Sequence, residues 1–180
     1  MKRAVLILSV LLALGLTSAH AAEYTANSTF TITYDDAVFT LDDTGYPSNI
    51  ATDDTYRWLF LLNSDEYLID VSMESWHLLG YEVESLLTAS EAEKQAYVAD
   101  ALSAYSATLL KTVEVGSEKI PFVLFYINAE GGDCLVAETL VSGYVIDFCA
   151  YYRDASRDAD DALAEHLLAI LDSFTPVLIE

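Results

Sequence analysis

The chain has 180 residues and a formal net charge of −21, with 29 acidic side chains against 8 basic ones. Nucleic acids and anionic membrane surfaces would repel so acidic a protein, so neither is an expected partner. Basic proteins, cations and neutral glycans are compatible with this charge. The carboxylates are spread over the whole chain, so we favour a role in solubility over a single acidic docking site.

The first 22 residues have the pattern of a secretory signal peptide. Two basic residues precede an apolar run over 4–16, and small residues around Ala21 and Ala22 form a cleavage region. The run is short for a helix that spans a bilayer, and no cysteine follows it to carry a lipid. We expect cleavage after Ala21 or Ala22, leaving a single secreted domain, extracellular or periplasmic, over residues 23–180 with no membrane anchor.

The first half of this domain is predicted to contain four strands in two pairs, because polar and apolar residues alternate there. A segment rich in Asp, Thr, Gly and Pro, 42–55, separates the pairs and predicts an exposed loop. Residues 75–87 are compatible with a short helix or with a loop. The four predicted strands are 29–34, 37–41, 57–62 and 66–73.

A helix is predicted next. Either of two capping boxes, at 88–91 or at 90–93, would start it. Apolar residues then recur at helical spacing, and Lys111 would suit the negative end of the helix dipole. We therefore expect the helix to end near Lys111. Its predicted apolar stripe consists of Val98, Ala101, Leu102, Tyr105 and Leu109.

The last third of the chain predicts a three-stranded meander and a final helix. The strands are expected at 120–128, 134–141 and 144–152, with tight turns at Gly131-Gly132 and Ser142-Gly143. The order of strands, helix, strands and helix predicts an α+β fold, with two helices packed against an antiparallel sheet. The final helix should span 158–174 and bury Leu163, Leu167, Ile170, Leu171 and Phe174.

This layout resembles the Mog1/PsbP-like fold. The resemblance rests on the meander over 120–152 and on the final helix, which closes in the Ser173-Phe174 pair. Residues 29–41 resemble the opening hairpin of the family, with Tyr34-Asp35 where Tyr-Pro is usual. The resemblance implies a non-enzymatic scaffold. Its families bind quite different partners, a small GTPase or photosystem II with its metal cluster, and no binding residue carries over to this chain.

The acidic loop and its aromatic neighbours are the candidate for binding a partner. Asp42, Asp43, Asp53, Asp54 and Trp58 are the residues concerned. Calcium is the one cofactor that such carboxylates could attract, but the Asp-x-Asp-x-Asp-Gly pattern is missing. We therefore interpret these aspartates mainly as solvated turn residues.

The function expected from the sequence is a secreted, non-catalytic binding or accessory module for an unidentified protein or glycan. The alternatives are a hydrolase that uses carboxylates of residues 42–58, or a glycan-binding protein that stacks sugars on Trp58 or Trp76. Nucleophilic catalysis finds little support, because the Gly-x-Ser-x-Gly elbow is missing. Cysteine and histidine could form a catalytic thiol pair, but buried thiols and ordinary histidines are the preferred interpretation.

Cys134 and Cys149 are the two cysteines of the chain and lie on strands predicted to pair. A two-residue turn at Ser142-Gly143 would place them diagonally, about 7–8 Å apart, which is longer than the roughly 4.4–6.8 Å usual for a disulfide. A four-residue loop, 140–143, would place them directly opposite. Secretion would permit a disulfide, and we predict that one joins them.

Overall fold

The computed structural model describes residues 21–26, 29–44, 56–75, 83–129 and 132–177. Within these ranges the chain forms ten strands and two helices. The strands are β1 (Ala21–Ala26), β2 (Phe30–Asp35), β3 (Thr40–Asp42), β4 (Tyr56–Asn63), β5 (Tyr67–Ser75), β6 (Thr108–Val115), β7 (Ile120–Ala129), β8 (Gly132–Val141), β9 (Tyr144–Tyr152) and β10 (Thr175–Pro176). The helices are α1 (Glu91–Tyr105) and α2 (Asp161–Leu171).

Seven strands form one antiparallel sheet in the order β3-β4-β5-β9-β8-β7-β6. The predicted α+β class and the meander over 120–152 are confirmed. Ser142 and Gly143 connect β8 to β9 with φ angles of +51° and +79°. Positive φ at both central residues is what the type I′ hairpin turn requires. The turn pairs Val141 with Tyr144 and so sets the register of both strands.

The predicted opening hairpin over 29–41 is wrong. β2 pairs with β1 and β10 in a separate three-stranded sheet, whereas β3 pairs with β4 in the large sheet. The chain turns after Asp35, whose carbonyl oxygen accepts the N–H groups of Val38 and Phe39. Phe39 then enters the core. Burial of this aromatic ring directs the chain from one sheet to the other.

The predicted end of the first helix is also wrong. α1 starts at the second capping box, since the Ser90 N–H donates to Glu93 and Ser90 Oγ accepts the Glu93 N–H. It ends at Tyr105, where Ser106 takes the left-handed conformation. Residues 108–115 then form β6, which pairs with β7 at the edge of the sheet. Apolar residues continue at helical spacing beyond Tyr105 by chance, and the hydrogen bonds between β6 and β7 outweigh the local preference for a helix.

One face of the large sheet carries the main core. The small sheet and α2 cover it, and the predicted apolar stripe of α2 is confirmed as buried. Phe30 stacks on Phe174 at 4.9 Å, and Phe122 meets the Phe174 ring edge-on at 5.2 Å. Each of these rings is fully or almost fully buried, so the C-terminal end of α2 is held by aromatic packing.

The opposite face of the sheet carries a smaller core beneath α1. Only two residues of this helix, Tyr97 and Ala101, are buried, while Val98 and Leu102 are half-buried against the sheet. Tyr105 and Leu109, which were expected on the same buried stripe, are exposed by 44% and 43%. α1 is therefore attached through a much narrower apolar contact than α2.

Candidate functional site

A cleft of about 600 Å³ opens between α2, the β1–β2 hairpin and the turn that follows β2. Buried residues of its lining include Phe39, Tyr67 and Ile170. Val38, exposed by 47%, stands at its edge. Ligand-binding clefts commonly measure about 300–1,000 Å³ and have mostly apolar walls with a few polar groups. The size and lining of this cleft fit that description.

Three aromatic rings form one wall of the cleft. His166, on the exposed side of α2, stacks on Tyr67 with the ring centres 4.8 Å apart. The Phe39 ring meets the Tyr67 ring edge-on, with the ring centres 5.5 Å apart. Burial raises the pKa of Tyr67, so its hydroxyl stays protonated across the neutral range. The wall offers flat apolar surface with a polar edge.

The polar groups of the cleft include Ser173 beside His166, which raises the question of nucleophilic catalysis. The Ser173 hydroxyl is used to hold the backbone. Its oxygen accepts the Thr33 N–H at 2.7 Å, and it lies 2.7 Å from the Ile170 carbonyl oxygen, to which it donates. His166 in turn stacks on Tyr67. Both side chains therefore have structural roles, and the arrangement suits binding.

The mouth of the cleft is acidic. Asp35 and Asp172 line it, and none of its lining residues is Lys or Arg in the part of the chain that the structure describes. A carboxylate near an apolar wall favours a ligand that combines an apolar group with a positive charge. The predicted partner-binding loop contributes nothing to this cleft within the described residues.

The predicted acidic loop is described only in part. The Asp42 carboxylate accepts the Thr44 N–H at 3.1 Å and the Thr44 hydroxyl at 2.7 Å, which lowers its pKa and closes a local turn. The Asp43 carboxylate interacts with the Tyr24 hydroxyl. Asp53 and Asp54 lie outside the described residues. Their part in partner binding stays a prediction.

The same loop is the predicted place for a bound calcium ion. Among residues 21–26, 29–44, 56–75, 83–129 and 132–177, the structure holds no group of three or more His, Cys, Asp or Glu side chains placed to hold a metal ion. Because the loop is described only as far as Thr44, calcium binding there stays a prediction. Within the same ranges, no helix is long and apolar enough to cross a membrane.

Trp58 lies on β4, in agreement with the predicted strand over 57–62, and its part in partner binding stays a prediction. It pairs with Ser72 of β5, and Ser72 pairs with Asp147 of β9. Residues paired across antiparallel strands share one face of the sheet. Trp58 is half-buried and meets Tyr56 edge-on, with the ring centres 6.3 Å apart. Trp76 lies outside the described residues.

The face of the large sheet that carries Trp58 and Ser72 lies beneath α1, and it also carries four acidic residues. We call this group the carboxyl cluster; it consists of Asp70, Glu74, Glu138 and Asp147. Glu138 pairs with Asp147 across β8 and β9, and Asp70 pairs with Cys149. Glu138 is exposed by 4% and Asp70 by 9%. The Tyr97 hydroxyl of α1 donates to Glu138, which links the helix to the cluster.

Burial dominates the protonation of this cluster. It raises the pKa of Asp70 to about 7, although the Tyr151 hydroxyl opposes the shift by its hydrogen bond. Burial, and then the charge and hydrogen bond of Glu138, raise the pKa of Asp147 well above its ordinary value. Burial likewise raises the pKa of Glu138. A hydrogen bond between two carboxyl groups needs a proton on one of them, so this bond exists only while Glu138 or Asp147 is neutral.

The predicted disulfide between Cys134 and Cys149 is not formed. Both cysteines are free, because the two-residue turn sets the register that pairs Cys149 with Val136 and leaves Cys134 diagonal to it. The two thiols interact by a hydrogen bond, which lowers the pKa of Cys134 and raises that of Cys149. They lie beside the α1 core, whereas His166 belongs to the opposite face, so these groups do not form a catalytic pair.

Native protein purified without reductant should therefore carry two alkylatable thiols. After unfolding, iodoacetamide should add two carbamidomethyl groups, and prior reduction should not increase that number. Mass spectrometry of the intact chain checks this. A mass lower by two hydrogens, with alkylation only after reduction, would contradict the free thiols and the register that separates them.

The sequence contained a signal for the carboxyl cluster that was not recognised. Asp70 and Asp147 occupy the polar positions of strands that alternate polar and apolar residues. Such positions usually face solvent when a single layer covers the sheet. Here a second core, which includes residues of α1, lies on that face, so Asp70 is buried and Asp147 is half-buried. No local pattern indicates the cleft, since its walls come from segments more than one hundred residues apart.

Comparison with known proteins gives a likeness of fold. No model of a known protein family matches the sequence, and no curated protein matches it. The structure is similar to the solution structure of cyanobacterial PsbP (CyanoP) from Synechocystis sp. PCC 6803. The TM-score is 0.47 and the identity is 13%, over 90% of this chain and 95% of that chain. The likeness transfers no partner or ligand to this chain.

Proposed function

We propose that this chain is a secreted, non-catalytic binding module. It seats an apolar side chain of a basic partner segment in the cleft beside α2. The observation that supports this proposal is the cleft itself, of about 600 Å³, with an aromatic wall and acidic groups at its mouth. The non-catalytic part rests on Ser173, whose hydroxyl is engaged with backbone groups.

The charge of the chain supports a basic partner. The net charge of −21 draws a cationic protein toward it, and Asp35 and Asp172 then lie where the partner enters. Removal of the first 22 residues would take away Lys2 and Arg3, two of the 8 basic residues, and would make the secreted domain still more acidic. The apolar wall adds the affinity that exposed charges alone do not supply.

Synthetic peptides test the proposal directly. Each peptide places one Leu, Phe or Trp between lysines, and its control carries Ala at that position. Fluorescence anisotropy should show tighter binding of the aromatic or Leu peptide than of the Ala control. Equal binding of all peptides would mean that only charge is recognised and that the cleft is unused.

Matched variants then locate the site. Val38→Arg places a bulky positive group at the mouth of the cleft and should weaken peptide binding by at least tenfold. Leu87→Arg makes the same change at a residue exposed by 36% outside the cleft lining and should leave binding unchanged. Both positions are exposed, so both variants should fold. Loss of binding in Leu87→Arg alone would place the site elsewhere.

A further inference from the structure

We propose that the two thiols of the chain, Cys134 and Cys149, form a binding site for a soft metal ion with the chemistry of Cu(I). Cys134 lies on β8 and Cys149 on β9, the last two strands of the meander. Soft ions of this kind prefer thiolate sulfur to carboxylate oxygen as a ligand. The thiols lie beside the smaller core, on the other face of the large sheet from the cleft, so this site is independent of the proposed peptide binding.

The strand register brings both cysteine side chains to one face of the sheet. Cys149 is paired with Val136, and Cys134 lies two residues before Val136 on β8. Side chains two residues apart on a strand point to the same side, so the cysteines are diagonal neighbours with their Cα atoms about 7–8 Å apart. The tight turn over 142–143 fixes this arrangement, because it sets the pairing of β8 with β9.

The two sulfur atoms are close enough to share a metal ion. The thiols interact by a hydrogen bond, so their sulfur atoms approach each other across the diagonal. A disulfide needs a sulfur–sulfur distance of about 2 Å, and Cα atoms closer together than this register places them. Two metal–sulfur bonds of about 2.3 Å can span up to about 4.6 Å between the sulfurs. A bound ion can therefore join the two strands where a disulfide is too short.

The number of ligands favours Cu(I) over zinc. In the part of the chain that the structure describes, no three His, Cys, Asp or Glu side chains are placed to hold one metal ion together. Structural zinc sites use four protein ligands, whereas Cu(I) forms stable complexes with two thiolates. The pair of thiols therefore matches the coordination of the softer ion.

Two carboxyl groups near the thiols favour the approach of a cation. Asp70 is paired with Cys149 across β5 and β9, and Asp133 precedes Cys134 on β8. When ionised, both act on the Cys134 thiol with their negative charge. Attraction of this kind raises the local concentration of cations at the site.

Binding replaces one proton on each sulfur with the shared ion. The hydrogen bond from Cys149 lowers the pKa of Cys134, so Cys134 supplies the first thiolate. The same hydrogen bond, and then burial, raise the pKa of Cys149, which releases its proton as the second bond to the ion forms. Both protons pass to water, no electron is transferred, and the ion stays Cu(I).

The position of the thiols allows an ion to enter. Both cysteines are half-buried and pack against the smaller core. The exposed part of each side chain gives access from solvent, and the apolar neighbours on the core side limit the approach of competing ligands. The site is therefore reachable without unfolding of the sheet.

Anaerobic titration of the reduced full chain tests the proposal. Cu(I) is supplied as its bicinchoninate complex, whose visible absorbance falls when the protein removes the ion. One Cu(I) should transfer to each chain. Cys134→Ser and Cys149→Ser should each lower the affinity by about a hundredfold or more, because only one thiolate remains. Failure of the wild-type chain to remove Cu(I), or equal removal by the wild type and both serine variants, would overturn the proposal.

Two further variants separate the thiols from other ligands. Met73→Leu replaces the buried thioether of β5 with a side chain of similar volume and should keep the wild-type affinity. Asp70→Asn keeps the shape of a neighbouring group without its charge and should change the affinity by less than about tenfold. A loss in Asp70→Asn as large as in the serine variants would contradict a site made by two thiolates. If Cys149→Ser does not fold, as judged by circular dichroism, Cys134→Ser alone makes the comparison.

Copper-edge X-ray absorption and a zinc competition define the coordination. The spectrum of the wild-type complex should show sulfur neighbours only, and an equal concentration of Zn(II) should leave Cu(I) bound. Oxygen or nitrogen neighbours in the spectrum would contradict the assignment. Displacement of Cu(I) by Zn(II) would show that the site suits a harder ion with more ligands and would also overturn it.

Discussion

Replacing Leu167 with alanine should lower the free energy of unfolding by about 2–5 kcal/mol, the range for large-to-small changes in a packed core. Leu167 is fully buried on α2 and belongs to the core shared by the large sheet, the small sheet and this helix. Three elements converge on it, so collapse around the cavity would require several of them to move. Chemical denaturation followed by circular dichroism measures the change.

The matched control for this change is Glu165→Ala. Glu165 lies two residues earlier on the same helix and is exposed, so its replacement should change the stability by about 0.5 kcal/mol or less. Ile170→Ala, one turn further along the buried stripe, should resemble Leu167→Ala. Similar small effects at all three positions would mean that α2 is not docked on the core.

Replacing Gly116 with alanine is the second change with a large expected effect. Gly116 has a φ of +66° in the turn between β6 and β7, and a methyl group there would lie 2.8 Å from the Phe174 carbonyl oxygen. An alanine held at this positive φ costs about 1–3 kcal/mol. The contact with the Phe174 carbonyl oxygen adds to that cost, because neither the turn at residue 116 nor the backbone at residue 174 can move alone. Thermal and urea unfolding should both show the loss.

Lys119 is the internal control for that turn. It has a φ of +54° but carries a side chain, and Lys119→Gly should therefore change the stability by about 1 kcal/mol or less, since relief of strain is offset by the entropy of glycine. A large loss of stability in Gly116→Ala beside a small change in Lys119→Gly would show that the contact with Phe174, more than the positive φ, requires glycine at residue 116. If Gly116→Ala is tolerated as well as Lys119→Gly, the close approach to Phe174 is not required for the fold.

The sequence of this protein determined those elements whose evidence is local. The alternation along 120–152 predicted three strands, and Ser142-Gly143 predicted a tight turn between the last two. The register of those two strands stayed open, because a four-residue loop over 140–143 was also compatible with the sequence. The apolar stripe of the last helix, including Leu167, was likewise sufficient to predict which side of that helix is buried. These features depend on residues near one another in the chain.

The tertiary structure decided where segments that are far apart would pair. The sequence predicted a hairpin over residues 29–41, but burial of Phe39 places β2 and β3 in different sheets. The spacing of apolar residues predicted that α1 continues to Lys111, but residues 108–115 pair with β7 and form the strand β6. Hydrogen bonds to a distant strand and burial in a shared core override local preferences when the two conflict.

The same distinction applies to the candidate sites. An acidic residue at a polar strand position has the same local sequence whether water or another layer covers it, so Asp70 gave no sign of being buried. The cleft is formed only when β2, the turn after it and α2 come together. Acidity and strand pattern could be read from the chain itself, whereas the burial of carboxyl groups and the shape of the cleft arise from packing between distant segments.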